Sequence, residues 1–295
     1  MTQGPIKVLL QTTIPTTADD WSIARFSLLG RFLRDQKDSG GRSLFDLTMR
    51  DRDRLGSPDS VLSALDQSDF DQMWLFAVDT GDGLTEEDCA AISRFRRSGR
   101  GLMVTRDHMD LGLSICALGG IGAAHHFHTR NLDPDATRRE VDDPYSKNIS
   151  WPNFHSGANG DYQHIQVVAP IHPVLADSSS PTGAIRFLPS HPHEGAVSAP
   201  ANQGARVIAA GTSKVTGRQF NIAVAFEKGA GGGSAIAQST FHHFADYNWD
   251  TRMGCPSFVD EPPGDAMIRS PQALSDTQLY VRNLALWLTA PAYRE

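Results

Sequence analysis

Two short runs in the first half of the chain, Met73 to Val78 and Gly101 to Thr105, are apolar at nearly every position. A strand with one face in water alternates apolar and polar side chains, so an unbroken apolar run predicts a strand covered on both faces, as in a parallel sheet flanked by helices. The surrounding sequence keeps that rhythm. Ile6 to Thr13 is a strand candidate leading to a helical stripe at Trp21, Leu28, Leu29 and Phe32. Leu44 to Met49 is a second strand, followed by a short helix over Ser57 to Leu65. Thr85 with Glu86, Glu87 and Asp88 has the form of a capping box opening a helix that ends near Ser98 and Gly99. After Gly101 to Thr105 a further helix is expected, closing on Leu118, Gly119 and Gly120. Repeated strand-helix order implies a doubly wound, mostly parallel α/β sheet of flavodoxin-like type, with right-handed crossovers and a ligand site beyond the carboxyl ends of its strands.

From about Asn131 to Asn202 the chain is rich in Pro, Asp, Ser, Gly and His and has few periodic segments. Residues 131–202 are therefore expected to form a loop-rich insertion over the strand ends of one domain spanning 1–295. Strands return at Arg206 to Ala210, Asn221 to Phe226 and Ala235 to Thr240. Gly229 to Gly233 joins the last two as a hairpin connection; no Gly-Lys-Ser/Thr follows it, so it is not a phosphate loop. Tyr280, Leu284 and Trp287 form a stripe that docks a C-terminal helix on the sheet.

With 295 residues, 40% of them apolar, and a net charge of −7, the chain has material for a large core and no basic surplus for nucleic acid. The arginines at 94, 96, 97 and 100 fit the solvated end of a helix, where cations suit the dipole. No run reaches the roughly 18 apolar residues of a membrane span, and Met1 to Val8 lacks a secretory core, so the expected location is the cytoplasm. Cys89, Cys116 and Cys255 are too few and too scattered for a disulfide framework. A small molecule is the expected partner, with no nucleic acid and no membrane; the sequence leaves open whether the chain forms a homo-oligomer.

Three segments carry a family resemblance. The strand Gly101 to Thr105 runs into Arg106, Asp107, His108, Met109 and Asp110; Phe241, His242, His243 and Phe244 follow the last strand; and Thr80, Gly81, Asp82 and Gly83 form a glycine loop after Met73 to Val78. In these segments the chain resembles the class I glutamine amidotransferase-like superfamily and, within it, the trehalose-utilisation ThuA-like branch. The resemblance implies the flavodoxin-like fold, puts His108 where the family keeps its nucleophilic cysteine, keeps a histidine at His242, and replaces the family's glutamate by Phe244. Glutamine hydrolysis needs a thiolate activated by a carboxylate-oriented histidine, so glutaminase activity is not expected. The resemblance further implies a small polar metabolite as substrate, of carbohydrate or keto-sugar type.

The expected catalytic residues are His108 and His242 as acid and base, with Asp107 either orienting His108 or capping the helix after it. A helix N-terminus and a neighbouring imidazole should both depress the pKa of His108. His108 is alternatively a packed remnant in the old nucleophile slot. Backbone N–H groups from Gly81 to Gly83, with Asp82, are assigned to oxyanion binding, and His193, Glu194 and His243 to the binding site. His126 with His128, and His191 with His193, are spaced two apart, so on extended backbone each pair can share a divalent metal such as zinc, with His108 and His242 completing the nitrogen ligands and Glu194 adding an oxygen; His126, His128 and His191 are the candidate ligands from the pairs. Histidines also gather to bind sugar hydroxyls, which is the competing reading. Asp246, Tyr247 and Asn248 either reach the same pocket or, through Asp246, cap the next turn. Two function classes remain: an enzyme performing hydrolysis or isomerisation by histidine-based or metal-assisted chemistry, and a non-catalytic binding or regulatory domain with a degenerate pocket.

Overall fold

The computed structural model describes residues 4–143 and 148–289. Its centre is an eight-stranded sheet built from β1 (Ile6–Thr12), β2 (Phe45–Arg50), β3 (Gln72–Phe76), β4 (Gly101–Thr105), β5 (Gln166–Val167), β6 (Ala205–Thr212), β7 (Gln219–Phe226) and β8 (Ala235–Gln238), in the order β2-β1-β3-β4-β8-β7-β6-β5. From β2 to β8 the strands are parallel, and the last three neighbours pair antiparallel. This is a flavodoxin-like, doubly wound, mostly parallel sheet.

Every residue of β3 and β4 is buried. Their alternate side chains feed two different cores, which is why neither face can be polar. Trp74, Phe76 and Met103 join Leu10, Phe244 and the C-terminal helix through Tyr280 and Leu284. Met73, Leu75, Leu102 and Val104 face Leu62, Ile92 and Phe95 on the other side. Three helices cover the sheet: α1 (Ser27–Arg34), α2 (Glu86–Arg97) and α3 (Pro271–Trp287). Thr85 and Asp88 close a reciprocal capping box on α2, which satisfies two of the helix's orphan N–H groups. The Asp246 carboxylate accepts from the N–H groups of Ser27 and Leu28 at 3.0 and 2.7 Å; it caps α1, more than two hundred residues away in sequence, rather than the turn that follows it.

The structure corrects the reading of the segment after β4. No helix runs from 106 to 118. Arg106–Leu111 is a tight loop in which the Leu111 N–H donates to the His108 carbonyl, and only a 3₁₀ turn at Leu113–Ala117 and a one-turn helix at Gly119–Gly122 follow. Gly112 has φ +84°, and a Cβ there would meet the Ala77 carbonyl at 3.0 Å, so the chain is held out of helical conformation where the expected helix would run. Similarly, the helix expected over Ser57 to Leu65 is a 3₁₀ segment at Leu62–Gln67. Gly229 and Gly232 exchange both backbone hydrogen bonds, closing the β7–β8 hairpin. The 131–202 segment supplies the edge strand β5, pairs Tyr162–His164 with Phe187–Pro189, and pairs Ala196–Val197 with His125–His126; its residues 144–147 lie outside the described residues.

Candidate active site

The chain following β1, β3, β4 and β8 ends at one cavity of about 400 Å³, lined among others by Trp21, Thr80, Asp107, His108 and His242. The 131–202 segment adds Asn159, His191 and His193 from above. Asp107, His191 and His242 are each 3% exposed or less, and one ligand atom from each lies within 4.8 Å of the others. Nε2 of His191 is 3.3 Å from Asp107 Oδ1, and Nε2 of His242 is 3.7 Å from Asp107 Oδ2. The two rings stack, with centroids 3.5 Å apart and planes 10° from parallel.

A single backbone carbonyl fixes both tautomers. Ser190 O accepts from Asn248 Nδ2 at 2.9 Å, so the amide nitrogen of Asn248 must point that way and its oxygen must face His242 Nδ1, 2.9 Å distant. The same Asn248 nitrogen donates to Asn159 Oδ1 at 2.8 Å, and that oxygen lies 2.9 Å from His191 Nδ1. Amide oxygens only accept, so in both rings Nδ1 carries the proton and Nε2 presents a lone pair. Burial drives the pKa of both imidazoles well below the ordinary histidine value, and each ring's neighbouring histidines push the same way. Both therefore stay neutral, with their lone pairs turned toward a carboxylate. Nε2 of His191 has no hydrogen-bond partner. Three buried acceptors converging on one point repel one another unless a cation or a proton sits between them.

His108 stands at the mouth, its side chain 20% exposed and its Nε2 3.7 Å from Asp107 Oδ2. Its pKa is lowered chiefly by burial, with Asp107 opposing. No helix starts at His108, so the dipole invoked from sequence plays no part. His193 faces it, ring centroids 5.6 Å apart, and is itself anchored by Glu261 Oε1 at 2.7 Å and Asn153 Oδ1 at 2.9 Å.

Other residues singled out in the sequence are directed elsewhere. His126 uses both ring nitrogens, toward the Asn131 carbonyl at 2.7 Å and Ser198 Oγ at 2.6 Å, and His128 is exposed; neither joins His191, because the i, i+2 pairing requires regular strand and β-structure ends at His126. The Gly81 N–H donates to Asp79 Oδ1 at 2.8 Å and is not free for an oxyanion. Gly83 packs on the Asp79 side chain, and Asp82 is exposed on the same loop. The oxygens of Glu194 are taken by Ser156, Gln163 and Ser239, and His243 lies behind them, 3.6 Å from Glu194 Oε2. Neither lines the cavity. Asn248 does reach the site, whereas Asn159 and Glu261 carry no local signature in the sequence and are recognisable only from the fold. None of the three cysteines lines the cavity; burial pushes the thiols of Cys89 and Cys116 up to about 12 and about 11.

No helix among the described residues is long and apolar enough to cross a membrane. No family model and no curated protein matches the chain. Among solved structures it is similar to a putative ThuA-like protein from Parabacteroides merdae, 15% identical, with a TM-score of 0.47 over 89% of this chain and 96% of that one. It is also similar to the glutaminase domain of Trypanosoma brucei CTPS, 14% identical, TM-score 0.47, over 90% and 98% of the two chains. The mmIFT52 N-terminal domain is 13% identical, with a TM-score of 0.48 over 82% and 90%.

Proposed function

We propose that this chain is a metal-dependent enzyme of ThuA-like type that hydrolyses a small polar metabolite of carbohydrate character, with Asp107, His191 and His242 as the metal ligands. The observation that carries the reading is the tautomer lock. Asn159 and Asn248 hold two buried imidazoles with their lone pairs aimed at one carboxylate, the arrangement in which outer hydrogen bonds orient metal-ligating histidines. Two histidines and a carboxylate leave coordination positions open, and a divalent ion such as zinc held there would supply Lewis acidity toward water and a substrate carbonyl.

The remaining chemistry belongs to the chain. His108, neutral through burial and reachable from solvent, is placed to take a proton from the attacking water and return it to the leaving oxygen. Trp21, its ring edge-on to His242 with centroids 4.6 Å apart, offers an apolar wall. The acidic groups lining the cavity are Asp20, Asp107 and Glu261, and no Lys or Arg of the described residues lines it. A neutral polyol suits such a wall; a phosphate ester does not.

The test is elemental analysis of the purified protein together with turnover of sugar lactones and acyl esters, before and after chelation and after zinc is restored. One ion per chain is expected, with turnover that follows the ion and with both lost in H191A and D107A. A wild-type protein that retains no divalent ion and turns over equally well after chelation overturns the metal reading. Sugar binding without turnover would instead establish the non-catalytic class.

A further inference from the structure

Two sequence features that seem unrelated, the arginine-rich end of α2 and the glycine cluster between β7 and β8, meet in space. They border a cavity of about 630 Å³ lined by residues such as Arg96, Arg97, Gln203, Lys228 and Gly231, with none of its lining shared with the Asp107 cavity. Arg96 is only 8% exposed. Its Nε donates to the Gly233 carbonyl at 3.2 Å and its guanidinium lies over the Phe226 ring at 5.1 Å. Its Nη groups point toward the cavity rim: Nη2 would lie 3.6 Å from a Cβ at Gly231 and Nη1 3.7 Å from one at Gly120. Among the described residues those Nη groups have no hydrogen-bond partner and no carboxylate neutralises the charge. The acid at the rim, Glu227, is engaged with His172 at 3.2 Å. Burial is the sole cause acting on the Arg96 pKa, and it acts downward. A largely buried side chain thus presents its Nη donors to the cavity with no protein counter-ion, and most of its five N–H donors are free for a ligand.

We propose that this cavity binds a small anion of phosphate or carboxylate type, held in a fork by Arg96 with Lys228 and Arg97 adding charge at the rim. Gly119 and Gly229 have open space where a side chain would sit, so a ligand can approach the backbone there. The site is independent of the metal reading.

Titration with inorganic phosphate at constant ionic strength, followed by calorimetry and by thermal unfolding, tests it. Wild-type protein and H191A, which lacks the metal-ligand cluster, should bind phosphate alike and melt higher with it. R96M keeps the packing on Phe226 and should bind at least tenfold more weakly; K228Q, which leaves the core untouched, should lose several-fold and decides the matter if R96M does not fold. Citrate in a parallel titration distinguishes a carboxylate ligand from a phosphate. No binding by wild type, or undiminished binding by the Arg96 variant, overturns the proposal, as does binding that disappears in H191A.

Discussion

Glu194 and Asp107 are both buried carboxylates beside histidines, each flanked by the same two stretches of chain around 190 and 240, yet they are wired in opposite ways. Glu194 is saturated: Ser156 and Gln163 donate to Oε1 at 2.5 Å each and Ser239 donates to Oε2 at 2.7 Å, and the carboxylate does not line the Asp107 cavity. Asp107 receives a side-chain hydrogen bond from Thr240 at 2.8 Å and otherwise faces bare imidazole nitrogens across an open pocket. Residue type does not separate a structural acid from a reactive one. What separates them is whether the protein supplies all the protons the carboxylate can accept.

The sharpest way to break this contrast is to remove each acid. Glu194→Ala strands three buried donors and should cost about 3–5 kcal/mol in urea unfolding. Asp107→Asn in metal-free protein should cost under about 1 kcal/mol, because it relieves an acceptor crowded by acceptors. Equal losses would mean that Asp107 is as structural as Glu194.

Next in size is the effect of the ion itself. Zinc at about 100 times its Kd should stabilise wild-type protein by about 2.7 kcal/mol through linkage, and chelator should reverse it. The gain should vanish in D107N and persist in E194Q, provided the latter folds. Stabilisation that survives D107N would locate the metal elsewhere.

How much of this was readable from residues alone follows from the range of the interactions involved. Strand burial is local, so the unbroken apolar runs at Met73 and Gly101 carried the doubly wound sheet, and Thr85 with Asp88 marked the start of α2. His108 and His242 were found through a resemblance in short segments, and His191 through its spacing from His193. The tautomer lock was not legible: Asn248 reaches Asn159 across 89 residues and Ser190 across 58, contacts that no spacing rule encodes. Nor was the fate of Glu194, whose charge and neighbours look like those of a ligand until its three donors are seen. The missing helix after β4 depends on Gly112 meeting Ala77 from another strand end, again a tertiary constraint overriding a local pattern.

A smaller effect sharpens the role of the amides. Asn248→Leu removes the acceptor that keeps the proton on His242 Nδ1 and the donor that orients Asn159, so Nε2 is no longer held as the lone-pair atom. Zinc affinity should fall about 10–100-fold while the fold persists, read by competition with a chromophoric chelator. Asn248→Asp keeps an acceptor toward Nδ1 but sets its second oxygen against the Ser190 carbonyl and Asn159 Oδ1, so it should restore only part of the affinity. A leucine variant that binds zinc like wild type would show that packing alone sets the ring orientation.

The smallest expected effect is an acid-sensitivity control from a third buried carboxylate. Asp59 is saturated like Glu194: burial alone would raise its pKa, but Arg50 at 2.6 Å and the N–H groups of Leu62, Asp53 and Val61 bring it down to about 2. A depressed carboxylate contributes stability that is complete above its unfolded value near 3.8 and is lost as pH falls toward about 2. Asp59→Asn should therefore flatten the stability profile between about pH 4 and 2, by about 1 kcal/mol once solvent screening is allowed for, and leave zinc binding at pH 7 unchanged. A variant that alters zinc affinity instead would show that the saturated acids and the open one are coupled, and the distinction between the two kinds of carboxylate would lose its footing.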